Sequence, residues 1–169
     1  VTRLKYRTAW LRFCAGVVDG VVLMPLSLLI DWVGTKLSSP AALIPLGIVA
    51  SGMGVVYSVL LHGRFGQTVG KRQMRVKVLD VSEAPLTVRQ AVLRDAPMIV
   101  LAFVQIILLA RYILGGGNPF GFAMDRAQPL GLLEYAMMIW FAAEVVTMLF
   151  NEKRRALHDW IAGSVVVRV

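Results

Sequence analysis

Residues 41–61 read AALIPLGIVASGMGVVYSVLL, 21 positions without a charged side chain. A helix of that length rises about 32 Å, enough to cross the hydrocarbon core of a bilayer, which is about 30 Å thick. Only Ser51, Tyr57 and Ser58 break the apolar surface. The stretch therefore lacks the polar stripe at helical spacing by which a soluble helix faces water. Three further runs are of crossing length: residues 11–30, 97–114 and 132–150. Together they predict an all-α, polytopic membrane protein with four transmembrane helices, organised as one membrane domain over residues 1–169.

The composition agrees with that reading. Of 169 residues, 57% are hydrophobic and 17% charged, with a mean hydropathy of +0.69. A water-soluble domain has about 45–50% apolar and about 25% charged residues. These values exclude a disordered chain and a coiled coil, and they point away from a soluble enzyme. The 18 Lys and Arg outnumber the 10 Asp and Glu, giving a net charge of +8. Such an excess ordinarily raises nucleic-acid binding, but its placement gives another account. With four crossings, the N-terminal segment, the middle loop 62–96 and the C-terminal segment 151–169 share one side. That side holds fifteen of the basic residues, against Lys36, Arg111 and Arg126 on the other. Basic residues stay preferentially on the cytoplasmic side, so both termini are expected there. The cationic face is expected against anionic lipid headgroups, with no nucleic-acid partner.

The middle loop carries local signals of its own. Residues 74–81 alternate Met74, Val76 and Val78 with Arg75 and Lys77, the period of a short strand. Residues 164–169 are also strand-like, and pairing the two segments would close a small cytoplasmic sheet. Thr87-Val88-Arg89-Gln90 matches a capping box, in which the Thr and Gln side chains satisfy free N–H groups at a helix start. Val88, Ala91 and Val92 then share a face, with Arg89 and Arg94 available to headgroups. This predicts a short interfacial helix leading into the third crossing. The outer loop 115–131, with Gly115-Gly116-Gly117-Asn118-Pro119, reads as irregular. The first apolar run contains Arg12 and Asp19 and lacks a small-residue cleavage site, so no signal peptide is read there.

An ionisable group inside a membrane costs at least about 2.5–3.5 kcal/mol and normally faces a partner, a bundle interior or water. Arg12 and Asp19 are seven residues apart and share one face of the first helix. Asp19 also interrupts Gly16-Val17-Val18-Asp19-Gly20, a spacing of small residues that admits a close helix. Counted from their inner helix ends, Glu144 and Gln105 lie at a depth similar to Asp19. The three predict a polar layer able to hold a cation or pass a proton. The plainer alternative is a hydrogen-bonded packing layer without traffic. Gly66-Gln67-Thr68-Val69-Gly70-Lys71-Arg72 is near a phosphate loop, but its spacing and its final Arg depart from GxxxxGK[ST]. His62 and His158 lie at interfaces without companions at metal-ligand spacing, and no Ser/His/Asp set emerges. Cys14, the single cysteine, rules out an intrachain disulfide framework. No enzyme activity, metal or cofactor is expected.

Three pieces together resemble the RDD family of bacterial integral membrane proteins, named for an arginine and two aspartates. They are Arg12 with Asp19 in the first helix, the stretch from Gly66 through Thr68 and Gly70 to Lys71, and Arg155-Ala156-Leu157-His158-Asp159-Trp160-Ile161-Ala162-Gly163-Ser164. Ser164 stands where the family more often has Thr. The resemblance implies that Arg12, Asp19 and Asp159 are the signature residues, in a small helical domain of the bacterial inner membrane. A guanidinium holds a carboxylate through parallel hydrogen bonds, so Arg12 and Asp159 are expected to clamp the chain ends. The family implies either transport-type activity such as cation/proton exchange, for which the intramembrane Asp19 is the candidate carrier, or a role as an accessory or scaffold subunit of a larger complex. A homo-oligomer is expected for the first role, because one four-helix unit has little interior.

Overall fold

The computed structural model describes residues 5–117, 119, 120 and 128–169. In chain order the elements are helices α1 (Ala9–Gly34) and α2 (Pro40–Phe65), the short α3 (Val69–Gln73) and strand β1 (Val76–Asp80). Helices α4 (Val88–Leu114) and α5 (Gln128–Leu149), the short α6 (Leu157–Ala162) and strand β2 (Ser164–Arg168) complete them. The protein is mostly helical, and α1, α2 and α4 are each long and apolar enough to cross a membrane. Only 11% of the most apolar window of each is buried within the protein. Side chains such as Leu28, Leu60 and Phe103 point outward, which water would not tolerate on this scale but hydrocarbon does. In α5 the apolar stretch is Tyr135–Leu149. Of the expected outer loop, residue 118 and residues 121–127, Arg126 among them, lie outside the described residues.

Helices α2 and α4 form the best-packed pair. Leu43 of α2 meets Leu109 and Ile113 of α4, with Leu37, Ile44 and Phe120 around them. A Cβ added to Gly47 would lie 2.3 Å from a methyl carbon of Leu109, so the close approach of the two helices depends on that glycine. Helix α1 is held differently, through α3 more than through any long helix.

The small sheet forms as the alternation predicts. β1 and β2 pair antiparallel, in register from Val76 opposite Arg168 to Asp80 opposite Ser164. Val76 and Val78 are fully buried in a core with Leu86, Ala91 and Val166. β2 is covered on both faces, with Val165, Val166 and Val167 all buried, and hence lacks alternation. Near the N-terminus, Lys5 and Tyr6 both bond Glu83 at the turn after β1. The N-terminal segment, the middle loop and the C-terminal segment thus converge on one end of the helices.

The expected interfacial helix is corrected. The capping box is present, with Gln90 N–H donating to Thr87 Oγ1 at 3.2 Å and Thr87 N–H to Gln90 Oε1 at 3.0 Å. The helix it starts, however, runs on through Pro97 as the 27-residue α4. One side of its first turns faces the protein, because Ala91 packs into the sheet core and Arg94 is 4% exposed, while Val88 and Val92 stay exposed. Thr87→Ala is expected to lower stability by about 1 kcal/mol, read as a fall in the thermal midpoint in detergent.

Candidate functional site

The most buried charge is Asp159, on α6. Arg12 of α1 donates from Nη1 to Oδ2 at 2.6 Å, and Arg94 of α4 lies with Nη2 3.2 Å from Oδ1. The backbone N–H of Ala156 and the hydroxyl of Ser164 complete the shell at 3.0 and 3.2 Å. Burial alone would push this carboxyl up, but the guanidinium groups of Arg94 and Arg12 outweigh it and hold Asp159 well below the usual carboxylate range. Arg94 Nη2 also donates to His158 Nε2 at 2.7 Å, and His158 Nδ1 bonds Glu144 of α5. A guanidinium has no acceptor, so Nε2 is unprotonated and Nδ1 carries the hydrogen. Burial first, then the charge of Arg94, keeps His158 neutral by lowering its pKa. Arg155 braces the motif from outside, donating to the carbonyls of Ser164 and Asp159 while stacking on Trp160 at 4.4 Å. Gly163 takes a left-handed conformation (φ 61°) that ends α6 and starts β2.

Asp19 is held by the glycine-bearing loop. Gly66 ends α2 in a left-handed conformation, and Thr68 caps α3 by accepting from Lys71 N–H. The loop then lies directly against α1. Asp19 accepts from Thr68 Oγ1 at 2.6 Å, Gly70 N–H at 2.7 Å and Tyr57 OH at 2.7 Å. A Cβ on Gly70 would stand 2.0 Å from the Ala15 carbonyl oxygen, so only glycine fits there. Backbone therefore passes directly against α1 at Gly70. Gly16 and Gly20 differ: nothing lies within 4 Å of a Cβ built on either, and no helix of the described residues is seated on that face.

Beside these clusters, α1 and α5 are separated by a cavity of about 670 Å³. Trp10, Phe13, Val17 and Phe141 form apolar walls, and Arg12, Asp19, Lys71, Arg94, Glu144 and His158 line its polar end. Lys71 is pushed down to about 7, first by burial among these groups and then by the charge of Arg94. Its ammonium donates to His62 Nε2 at 2.9 Å. His62 Nδ1 lies 3.0 Å from Ser58 Oγ, which donates to Asp95 Oδ2 at 2.8 Å. Ser58 and Asp95 line a second cavity of about 240 Å³, together with Ser51 and Gln105.

The structure thus brings Asp19 and Glu144 to one cavity and puts Gln105 on the other, so the three do not form a single layer. Arg12 and Asp159 meet as expected, but through Nη1 alone and not through two parallel bonds. Arg94 is corrected from a headgroup-facing residue to a buried partner of Asp159. The two histidines, read as isolated, each join a polar chain. Tyr57, Ser58, Arg94 and Asp95 were missed as site residues. The discoverable signal was a hydroxyl pair inside the apolar run 41–61 and an Arg-Asp pair just before Pro97.

Several crossing-length helices, joined at one end by an Arg–Asp–Arg cluster and a glycine-dependent loop, define a helical membrane protein built around a charged lock. The family model described as RDD family matches residues 6–163, and the chain belongs to that family. No significant match was found among curated proteins or solved structures.

Proposed function

We propose that this is a transport-type protein of the bacterial inner membrane that exchanges a monovalent cation for protons. It would cross the membrane four times, with both termini cytoplasmic. The convergence of the N-terminal, middle and C-terminal segments on one end supports that topology. A chain leaving the far end of α4 has to return through α5, whose 22 residues rise about 33 Å, to place β2 beside β1. The basic residues of those three segments support the cytoplasmic assignment.

The observation that carries the exchange reading is the charge balance at the polar end of the larger cavity. Arg12, Arg94 and protonated Lys71 line it with Asp19 and Glu144, and Asp159, which is not on the lining, pairs both guanidinium groups from behind, so the formal charges of the set cancel with His158 neutral. Lys71 titrates at about 7, so loss of its proton leaves one negative charge in excess, which one bound monovalent cation restores. A bound cation and the proton on Lys71 are then alternative ways of compensating the same negative charge. Asp19, fixed by three donors, serves as the anionic counterpart, and Lys71 carries the proton. The experiment is a Na⁺ or K⁺ pulse to proteoliposomes containing a pH-sensitive dye. Wild type is expected to move protons, and Lys71→Gln and Asp19→Asn to fall to the empty-liposome baseline. Undiminished flux in Lys71→Gln would remove Lys71 as the carrier, and a silent wild type would sink the exchange reading.

The accessory-subunit reading has its own support in the uncovered Gly16–Gly20 face and the sparse packing of α1, which leave room for a helix from a second copy or a larger protein. Co-purification of a stoichiometric larger partner, with no flux from the chain alone, would favour it.

A further inference from the structure

Four side chains, Lys71, His62, Ser58 and Asp95, form an unbroken hydrogen-bonded line between the two cavities. Lys71 lines the larger cavity, while Ser58 and Asp95 line the smaller. Its direction follows from the donor inventory. An ammonium only donates, so His62 Nε2 accepts from Lys71. Ser58 has one hydroxyl hydrogen and gives it to Asp95, so Ser58 Oγ accepts from His62 Nδ1–H. Every link is oriented from Lys71 towards Asp95. His62 is 2% exposed, so bulk water does not interrupt the line. Beyond Asp95, the smaller cavity carries polar groups on towards Gln105, ten residues further along α4 and about 15 Å by helix rise. Ser51, also on its lining, has a buried hydroxyl oxygen without a partner in the protein.

We propose that Lys71, His62, Ser58 and Asp95 form a proton relay joining the two cavities, so that the exchanged proton and cation occupy different cavities. The proposal rests on the exchange reading above. In the forward step, Lys71 Nζ–H gives its proton to His62 Nε2. His62 passes the hydrogen on Nδ1 to Ser58 Oγ, and the original Ser58 hydroxyl hydrogen goes to Asp95 Oδ2. Lys71 ends neutral, Asp95 ends as a carboxylic acid, and His62 carries its hydrogen on Nε2. The reverse sequence reloads Lys71 when the cation leaves. The charged groups that set the balance at Lys71 are Arg12 and Asp19 from α1 and Arg94 and Asp95 from α4. Entry of a cation beside Asp19 adds positive charge next to Lys71 and drives the proton towards Asp95. The smaller cavity thereby acquires a role that its mostly apolar lining does not announce.

Ser58→Ala removes the one hydroxyl in the line, and Ser58→Thr keeps it. With Na⁺ as the probe, Ser58→Ala is expected to cut Na⁺-driven proton flux about a hundredfold, the scale of a lost proton-transfer group. Ser58→Thr is expected to retain flux within a few fold. In both variants the Na⁺-dependent rise in thermal midpoint should match wild type, because the larger cavity is untouched. Wild-type flux in Ser58→Ala would overturn the relay and leave the exchange reading standing. Loss of the Na⁺-dependent rise together with flux would overturn it by making Ser58 structural, as would equal losses in Ser58→Ala and Ser58→Thr. A wild type without flux would overturn both readings.

Discussion

Asp159→Asn is expected to destabilise the fold by about 3–5 kcal/mol, the range for removing one partner of a buried ion pair. Asp159 is the only carboxylate within 4 Å of the guanidinium groups of Arg12 and Arg94 among the described residues, and Asn keeps its size while removing its charge. Two buried cations are then left facing an uncharged amide. The same change loosens α6, because the Ala156 N–H loses a charged acceptor. The thermal midpoint in detergent and the yield of monodisperse protein should both fall sharply. Ser164→Ala should cost less, about 1.5 kcal/mol, since one hydroxyl bond to the carboxylate is lost while both guanidinium groups keep their partner. The pH dependence has a definite sign. The folded carboxyl titrates below its ordinary range, so its contribution is fully present above the unfolded value of about 4 and drains away only as acid carries the pH lower. A melting series that showed the Asp159→Asn protein within 1 kcal/mol of wild type would contradict the lock.

Gly70→Ala is expected to be nearly as damaging although it adds a single methyl group. The atom it would meet is the Ala15 carbonyl oxygen, part of a helix backbone that cannot swing aside as a side chain does. Relief requires α3 to lift from α1, which breaks the bonds from Gly70 N–H and Thr68 Oγ1 to Asp19. Overpacking and the loss of hydrogen bonds to a charged acceptor together amount to about 3 kcal/mol or more. Because α1 meets the rest of the protein chiefly through α3, its detachment should be visible locally. Cys14 on α1 is half-buried and should react faster with a maleimide in Gly70→Ala. Gly52→Ala is the control, since nothing lies within 4 Å of a Cβ at Gly52. Equal reactivity and equal midpoints in the two variants would rule out the role given to Gly70.

These two sites mark what can be read along the chain and what cannot. The helices of α1, α2 and α4 are legible because their apolar surface is continuous, and β1 because buried Val76 and Val78 alternate with Lys77. The Arg12–Asp159 pair is legible because both belong to one signature. Arg94 is not, because an amphipathic pattern assigns charges to the outward face by default. Nothing local shows that α6, some 64 residues later, returns beneath it. Gln105 exposes a different limit. Counting residues gives depth along a helix axis, and Gln105 was matched to Asp19 on depth alone. Which side of the bundle a residue faces depends on how α2, α4 and α5 rotate against one another, and apolar surfaces without a polar stripe carry no mark of that rotation. Tyr57 and Ser58 are neighbours in sequence yet lie about 100° apart around the helix, one turned to Asp19 and the other to His62 and Asp95.

The pairing of β1 with β2 has a consequence for biogenesis. β2, Asp159 and Ser164 follow every long helix in the sequence, so they leave the ribosome after those helices have emerged. Until then Arg12 and Arg94 have no buried carboxylate, and the unpaired edge of β1 and the valines of its core stay uncovered. Closing the fold means bringing together residues as much as 158 positions apart, a slow step with a large loop-closure cost. A nascent chain in which α1, α2, α4 and α5 have inserted but residues 156–169 have not docked therefore exposes a cationic, strand-edged surface, which docking removes.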